Sequence, residues 1–251
     1  MAERPVLDVR APAGGWGAPW PNVAEIVRVL PHTSWTLVGG LMAQVHAAHQ
    51  GIDALRPTVD VDMVLHIETQ PHVAAEAVRA LGSLGYVLSP GIDARRNTAH
   101  RFVRTKDVAD VVDVLVADHA SPRTRQRLSG REMVAIEGGT QALRRTVNAR
   151  LSIDPSGAAT TISVPAPFAA TILKAAAYQA DSRDRARHLT DAVVLLAAIE
   201  QPLDERSRFA GSDRSRLQTL RRALPDDARP WQVLPPEWRA EAQAALRLLC
   251  G

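Results

Sequence analysis

The run VDVDMVLHI, residues 59–67, constrains this chain more than any other segment. Its β-branched residues favour a strand, and in a strand side chains two positions apart share a face. Asp60 and Asp62 are therefore expected to project together, about 7 Å apart at the backbone. Val59, Val61 and Met63 are expected on the opposite face. Like charges side by side on a half-buried sheet are unfavourable unless something positive lies between them. A fold that keeps this strand must bring a cation to it.

A divalent ion with a preference for oxygen, Mg²⁺ or Mn²⁺, answers that need, and a third carboxylate would complete a metal site. Asp113 is the best candidate, because it interrupts the apolar run VVDVLVA, where an unpartnered charge would be costly. Asp110 and Asp118 sit at the edges of that run and are weaker choices. Upstream, Gly39 and Gly40 follow a short predicted strand and precede a helix. A glycine turn at a helix start lets a phosphate approach backbone N–H groups, although many glycine pairs simply turn a chain. The two carboxylates twenty positions on favour the phosphate reading.

The rest of the chain reads as an α/β (α+β) arrangement: a mixed β-sheet with flanking helices, followed by a C-terminal helical bundle. Residues 1–21, rich in Gly, Pro and Trp, are expected to form a loose arm. A domain over 22–163 opens with a helix for which Asn22 is the expected cap. PHVAAEAVRALGSLGY is expected to be an amphipathic helix ending near Gly85, and 86–88, 100–104 and 111–116 supply further strands, giving a sheet of four or five. SPRTRQRL is expected to form a short helix. MVAIEG and TTISV look like strands, with DPSG between them a turn signal. Over 164–251 the pattern is helical: FAATILKAAAYQA, RDRARHLTDAVVLLAAIE, SDRSRLQTLRRAL and PPEWRAEAQAALRLLC.

Composition narrows the function. Hydrophobic residues at 46% with 23% charged exclude a disordered chain, and one cysteine, Cys250, excludes a disulfide framework or a cysteine-based zinc cluster. No leader-like segment and no apolar run long enough to span a bilayer stands in the sequence, so a cytoplasmic location away from the membrane is expected. Lysine occurs only at 106 and 174. Lys174 lies on an otherwise apolar, small-residue helix, where a phosphate would offset its burial and snorkelling to solvent is the alternative. Arginines 123, 125, 127, 131, 144, 145 and 150 form a local positive excess that either meets phosphates or is a solvated face. His46 and His49, one turn apart, lack further zinc ligands and are read as packing or surface residues.

LVGG, RPT and DVDMVL together resemble the signature of the DNA polymerase beta-like nucleotidyltransferases, most closely the AbiEii-type branch. The resemblance is close over residues 35–65 and looser over 165–195. It implies that Gly39 and Gly40 bind a nucleoside triphosphate with Arg56 beside it, and that Asp60 and Asp62 are the metal ligands, to which the apolar run adds Asp113. It also implies that Lys174 and Asp191 form the late motif of the active site. An ordinary helix-side pair with Arg187 is the competing reading of Asp191, and His188 is expected to stand behind it. The branch includes toxins of toxin–antitoxin pairs that modify transfer RNA ends, so transfer RNA is the implied acceptor and a cognate antitoxin an implied partner. Alternatives are an aminoglycoside-type enzyme and a catalytically silent relative that only binds nucleotide or RNA. Leu41 departs from the pattern, since some relatives carry a hydroxyl residue there.

Overall fold

The computed structural model describes residues 4–53, 56–90, 97–105, 109–153 and 158–251. Lys106 and the DPSG segment lie outside the described residues. In chain order the strands and helices of the first half are β1 (Val6–Val9), α1 (Trp20–Val29), β2 (Trp35–Leu37), α2 (Gly39–Gln50), β3 (Asp60–Leu65), α3 (Val73–Ser83), β4 (Val87–Leu88), β5 (Thr98–Ala99), β6 (Arg101–Arg104) and β7 (Asp110–Ala117). They continue with β8 (Arg127–Leu128), β9 (Arg131–Met133), β10 (Ala135–Ile136), α4 (Gly139–Arg144), β11 (Thr146–Leu151) and β12 (Thr160–Pro165). Helices α5 (Pro167–Ala180), α6 (Arg185–Ala197), α7 (Pro202–Ser207), α8 (Asp213–Ala223) and α9 (Pro236–Cys250) follow.

The principal sheet runs β2-β3-β7-β6-β4, and β10 pairs with the far end of β7. It is mixed, as expected, and among the described residues it has six strands instead of four or five. Its centre is the parallel pair β3–β7, with β2 and β6 antiparallel on either side. A parallel pair is normally covered on both faces. Here Val61, Met63, Val112 and Val114 are fully buried in a core shared with α1 and α3. Val59, expected to join them, lies before the strand begins and is 78% exposed.

Three local expectations change. Residues 6–9 do not belong to a loose arm: Val6–Val9 pairs in parallel with β11, and Val9 is buried. The segment SPRTRQRL gives only a 3₁₀ turn at Pro122–Thr124 before entering β8. Helix α1 starts at Trp20, two residues before the expected cap. The Asn22 amide is instead used sideways, donating to Asp110 Oδ1 at 3.0 Å and accepting from Arg104 at 3.2 Å. A tertiary ion network outcompeted the local cap.

The helical part has its own core, with Phe168, Ile172, Val193, Leu196, Trp231 and Leu246 all buried among α5, α6, α8 and α9. A third apolar cluster joins it to the sheet: Val38, Met42 and Leu115 meet Leu173 of α5 and Leu195 of α6. This seam fixes α5 and α6 over the ends of β3 and β7. Among the described residues no helix is long and apolar enough to cross a membrane.

The Arg104 guanidinium also donates to Asp110, Glu25 and the Leu84 carbonyl, and lies 4.5 Å from the centre of the Tyr86 ring. Removing it leaves two carboxylates and an asparagine without their common partner. Arg104→Ala is expected to cost about 2–4 kcal/mol, a little under the roughly 3–5 kcal/mol for a fully buried ion pair because Glu25 and Asp110 stay partly exposed, read as a lower midpoint in urea denaturation.

Candidate active site

The glycine turn, the RPT segment and the Asp-x-Asp strand interlock through contacts that side chains on the glycines would forbid. Gly39 has φ +70° and opens α2; a Cβ there would fall 1.8 Å from Asp62 Oδ2. At Gly40 a Cβ would lie 2.9 Å from the Arg56 guanidinium and 3.0 Å from Thr58. Thr58 in turn donates its hydroxyl to Asp60 Oδ1 at 2.9 Å. The backbone adds a further tie, from Val38 N–H to the Asp62 carbonyl at 2.9 Å. The start of α2, with its unpaired N–H groups, is thus clamped against the carboxylate strand.

Asp60, Asp62 and Asp113 converge. In the parallel register of β3 and β7 Asp62 lies directly opposite Asp113, and the three residues offer carboxylate oxygens within 4.8 Å of one another. Burial raises the Asp62 carboxyl, and the neighbouring charges of Asp60 and Asp113 raise it further, to about 7. The other two edge candidates have structural duties. Asp110 serves Arg104, while Asp118 accepts from the N–H groups of Gly138 and Thr140 at the start of α4.

One cation already stands in this row, and it was not anticipated. Arg101 of β6 is paired in register with Asp113 and grips its carboxylate with two bonds, Nε to Oδ1 at 2.8 Å and a terminal nitrogen to Oδ2 at 2.7 Å. No motif marks Arg101 in the sequence; only the strand register reveals its partner.

Lys174 and Asp191 form a second, deeper charge cluster. The Lys174 ammonium donates to Asp191 Oδ2 at 2.6 Å, with both side chains almost fully buried. Arg56 binds the same carboxylate from the other side, Nε to Oδ1 at 3.0 Å and a terminal nitrogen to Oδ2 at 3.2 Å. Burial opposes ionisation of Asp191, yet Lys174 and Arg56 hold its carboxyl below the usual carboxylate range. Asp191 therefore lies outside the acidic trio and acts on it through two cations. Its expected alternative partner, Arg187, binds Asp181 instead, at 3.1 Å. His188 shares that carboxylate at 3.0 Å.

A cleft of about 510 Å³ collects these groups: Gly39, Gly40, Arg56, Thr58, the three aspartates, Arg101 and Lys174 all line it, and Leu173, Ala176, Ala177 and Ile136 add an apolar wall. Asp191 sits behind the wall. None of the seven arginines between 123 and 150 lines the cleft. Arg145 is committed to Asp213 and Arg150 to Asp8. His46 bonds the Pro165 carbonyl and His49 the Asp8 carbonyl, so the two do not form a metal pair.

The donor set fits a divalent cation that prefers oxygen. Three carboxylates are grouped closely enough to share an ion, and one has been driven toward neutrality by burial and by its two acidic neighbours. Mg²⁺ or Mn²⁺ would be held by Asp60, Asp62 and Asp113.

Neither a family model nor a curated protein matches the sequence. A structural match exists with an antigenic nucleotidyltransferase-like protein from Paracoccidioides brasiliensis, at 13% identity and a TM-score of 0.51, covering 91% of this chain and 92% of that one. The fold is therefore nucleotidyltransferase-like.

Two outcomes follow from the geometry. Folded Asp62 keeps its proton up to about pH 7, whereas the unfolded chain releases it near 3.9. Between those values the native state binds more protons, so this group's contribution to stability falls as pH rises. In chelator, Asp62→Asn should gain in melting temperature relative to wild type between pH 5 and pH 8, by several degrees. Mg²⁺ should raise the wild-type melting temperature more at pH 8 than at pH 5. The second concerns Gly39→Ala, whose methyl group would displace the Asp62 carboxylate. That variant is expected to lose the Mg²⁺-dependent rise altogether.

Proposed function

We propose that this protein is a divalent-metal-dependent nucleotidyltransferase that moves a nucleoside monophosphate from a nucleoside triphosphate to an acceptor hydroxyl. The observation that carries the reading is the convergence of three carboxylates, a glycine-opened helix and a buried lysine on one cleft of a nucleotidyltransferase-like fold.

Each residue has a task in that reaction. The first N–H groups of α2, left open by Gly39 and Gly40, receive the triphosphate oxygens. Arg56, 30% exposed while bonded to Asp191, offers charge to the same phosphates. Asp60, Asp62 and Asp113 would hold Mg²⁺ or Mn²⁺, which when bound neutralises phosphate charge and favours the alkoxide form of the acceptor. The acceptor oxygen bonds to the α-phosphorus as the bond to the bridging oxygen breaks, and pyrophosphate leaves with that electron pair. The hydroxyl proton passes to Asp113. Lys174, held in place by its bond to Asp191, stabilises negative charge building on the phosphates. Asp191 is a positioning residue in this scheme.

For the acceptor we propose an RNA hydroxyl, with the end of transfer RNA first, in the manner of an AbiEii-like toxin controlled by an antitoxin. Support comes from the arginines at the cleft, Arg56, Arg101 and Arg187, and from the exposed Arg123, Arg125, Arg127 and Arg144. A second reading, a small cationic acceptor of the aminoglycoside type, draws on Glu137 and Asp181, which add negative charge to the same cleft.

Incubation with each α-labelled nucleoside triphosphate, Mg²⁺ and total transfer RNA separates the readings. Label in RNA is expected with the wild type, falling about a hundred- to a thousandfold in Asp62→Ala, the scale at which charge-stabilising groups count. Label confined to aminoglycosides would select the second reading. Tight RNA binding with no transfer to any acceptor would make the protein a silent relative and overturn the enzymatic proposal.

A further inference from the structure

In the acidic row of the cleft three strands each contribute one residue at the same level: Asp62 from β3, Asp113 from β7 and Arg101 from β6. Arg101 spans both oxygens of Asp113, so neither is without a partner. The guanidinium also lies close enough to Asp60 and Asp62 to interact with their charges. It is the cation that the sheet itself supplies to the carboxylates.

Unlike Lys174, whose side chain is 5% exposed, Arg101 keeps 43% of its side chain in contact with solvent and lines the cleft. A half-exposed bidentate pair is specific in geometry but modest in strength. It can be exchanged. The other cations of the cleft floor cannot move so readily, because Lys174 and Arg56 are both tied to the buried Asp191.

We infer that Arg101 is an internal counter-ion that competes with the divalent metal for Asp113 and changes partner to the triphosphate when metal and nucleotide arrive together. This rests on the proposed nucleotidyl-transfer reading and adds an order of events to it. The site is held poorly receptive to free metal, and it gains its full ligand set only when an anionic group draws the guanidinium away. Metal and triphosphate binding are then mutually favourable, by the reciprocity that linkage requires. Arg101 also serves as a positioning residue for the phosphates in the loaded state.

The test measures Mn²⁺ affinity by electron paramagnetic resonance of the free ion, using the whole chain at pH 8 with and without a non-hydrolysable triphosphate analogue. In wild type the analogue should tighten Mn²⁺ binding strongly. In Arg101→Gln, Mn²⁺ alone should bind roughly three- to tenfold more tightly than in wild type, a factor limited by the solvent exposure of the pair. The extra tightening by the analogue should shrink by at least the same factor. Arg101→Lys, which keeps the charge but not the paired bonds, should fall between the two and guards against a folding defect in the glutamine variant. Equal Mn²⁺ affinity in wild type and both variants would overturn the inference while leaving the metal-dependent reading intact. No Mn²⁺ binding to any of the three, with or without the analogue, would overturn both.

Discussion

Everything at this site depends on a close approach that two missing side chains permit. With any Cβ at Gly39 the Asp62 carboxylate would have to leave, and with one at Gly40 the Arg56 guanidinium and Thr58 would be pushed back. The start of α2 can therefore rest directly on the end of β3. That contact brings N–H groups, the RPT segment and the carboxylate strand within one small volume. A positive φ at Gly39 makes the same demand through the backbone, since side chains other than hydrogen are strained there. Sterics and conformation select glycine independently.

The charges then settle around a deficit. Arg56, Lys174 and Arg101 are the cations bonded to the site's central carboxylates, Asp113 and Asp191, with Asp60 and Asp62 beside them, while Arg187 is spent on Asp181 at the cleft edge. Asp191 takes two of those cations and Asp113 the third, which leaves the strand pair of Asp60 and Asp62 with a hydroxyl from Thr58 and weaker, longer-range attraction. Burial, joined by the negative charges of Asp60 and Asp113, is expressed as the raised Asp62 carboxyl. A sheet that merely needed solubility would not place its least compensated carboxylate against a glycine at the bottom of a cleft. The arrangement is unfavourable for an isolated protein and favourable once positive charge is delivered, which is the behaviour expected of a binding site.

How much of this was legible in the sequence follows the range of the interactions. The strand over Asp60–Leu65, the glycine turn and the isolated Asp113 were readable because alternation, missing side chains and a charge in an apolar run are local signals. Lys174 was readable for the same reason, the one charge on a helix made mostly of alanine and other apolar residues. The partner choices were not. Asp191 sits four residues from Arg187, a spacing that favours a helical pair, yet the buried Lys174 and Arg56 claim it from other elements. Asn22 had the chemistry of a cap and was drawn into the Arg104 network. Arg101 looked like one more arginine in a chain rich in them, because its meaning lies in the register of β6 on β7. The strand Val6–Val9 was missed because its partner lies about 140 residues away, as the pairing of Val6 with Asn148 shows, and a four-residue strand carries little signal of its own.

These long-range pairings give the helical part a role beyond enclosure. Lys174 comes from α5 and Asp191 from α6, while the carboxylates that face them come from the sheet. The two sources are held in register by the seam of Val38, Met42, Leu115, Leu173 and Leu195, in which Val38 precedes Gly39 and Leu173 precedes Lys174. Apolar contact and charged site are thus adjacent in the chain at both faces of the joint. Burial along the seam sets the depth at which Lys174 enters the cleft, and Asp191, bonded both to that lysine and to Arg56 of the sheet-side loop, closes the joint electrostatically. A shift of α5 along the seam would misplace the ammonium and break the Asp191 bridge at the same time. The packing of the bundle and the geometry of the cleft are one constraint, and neither can be altered without the other.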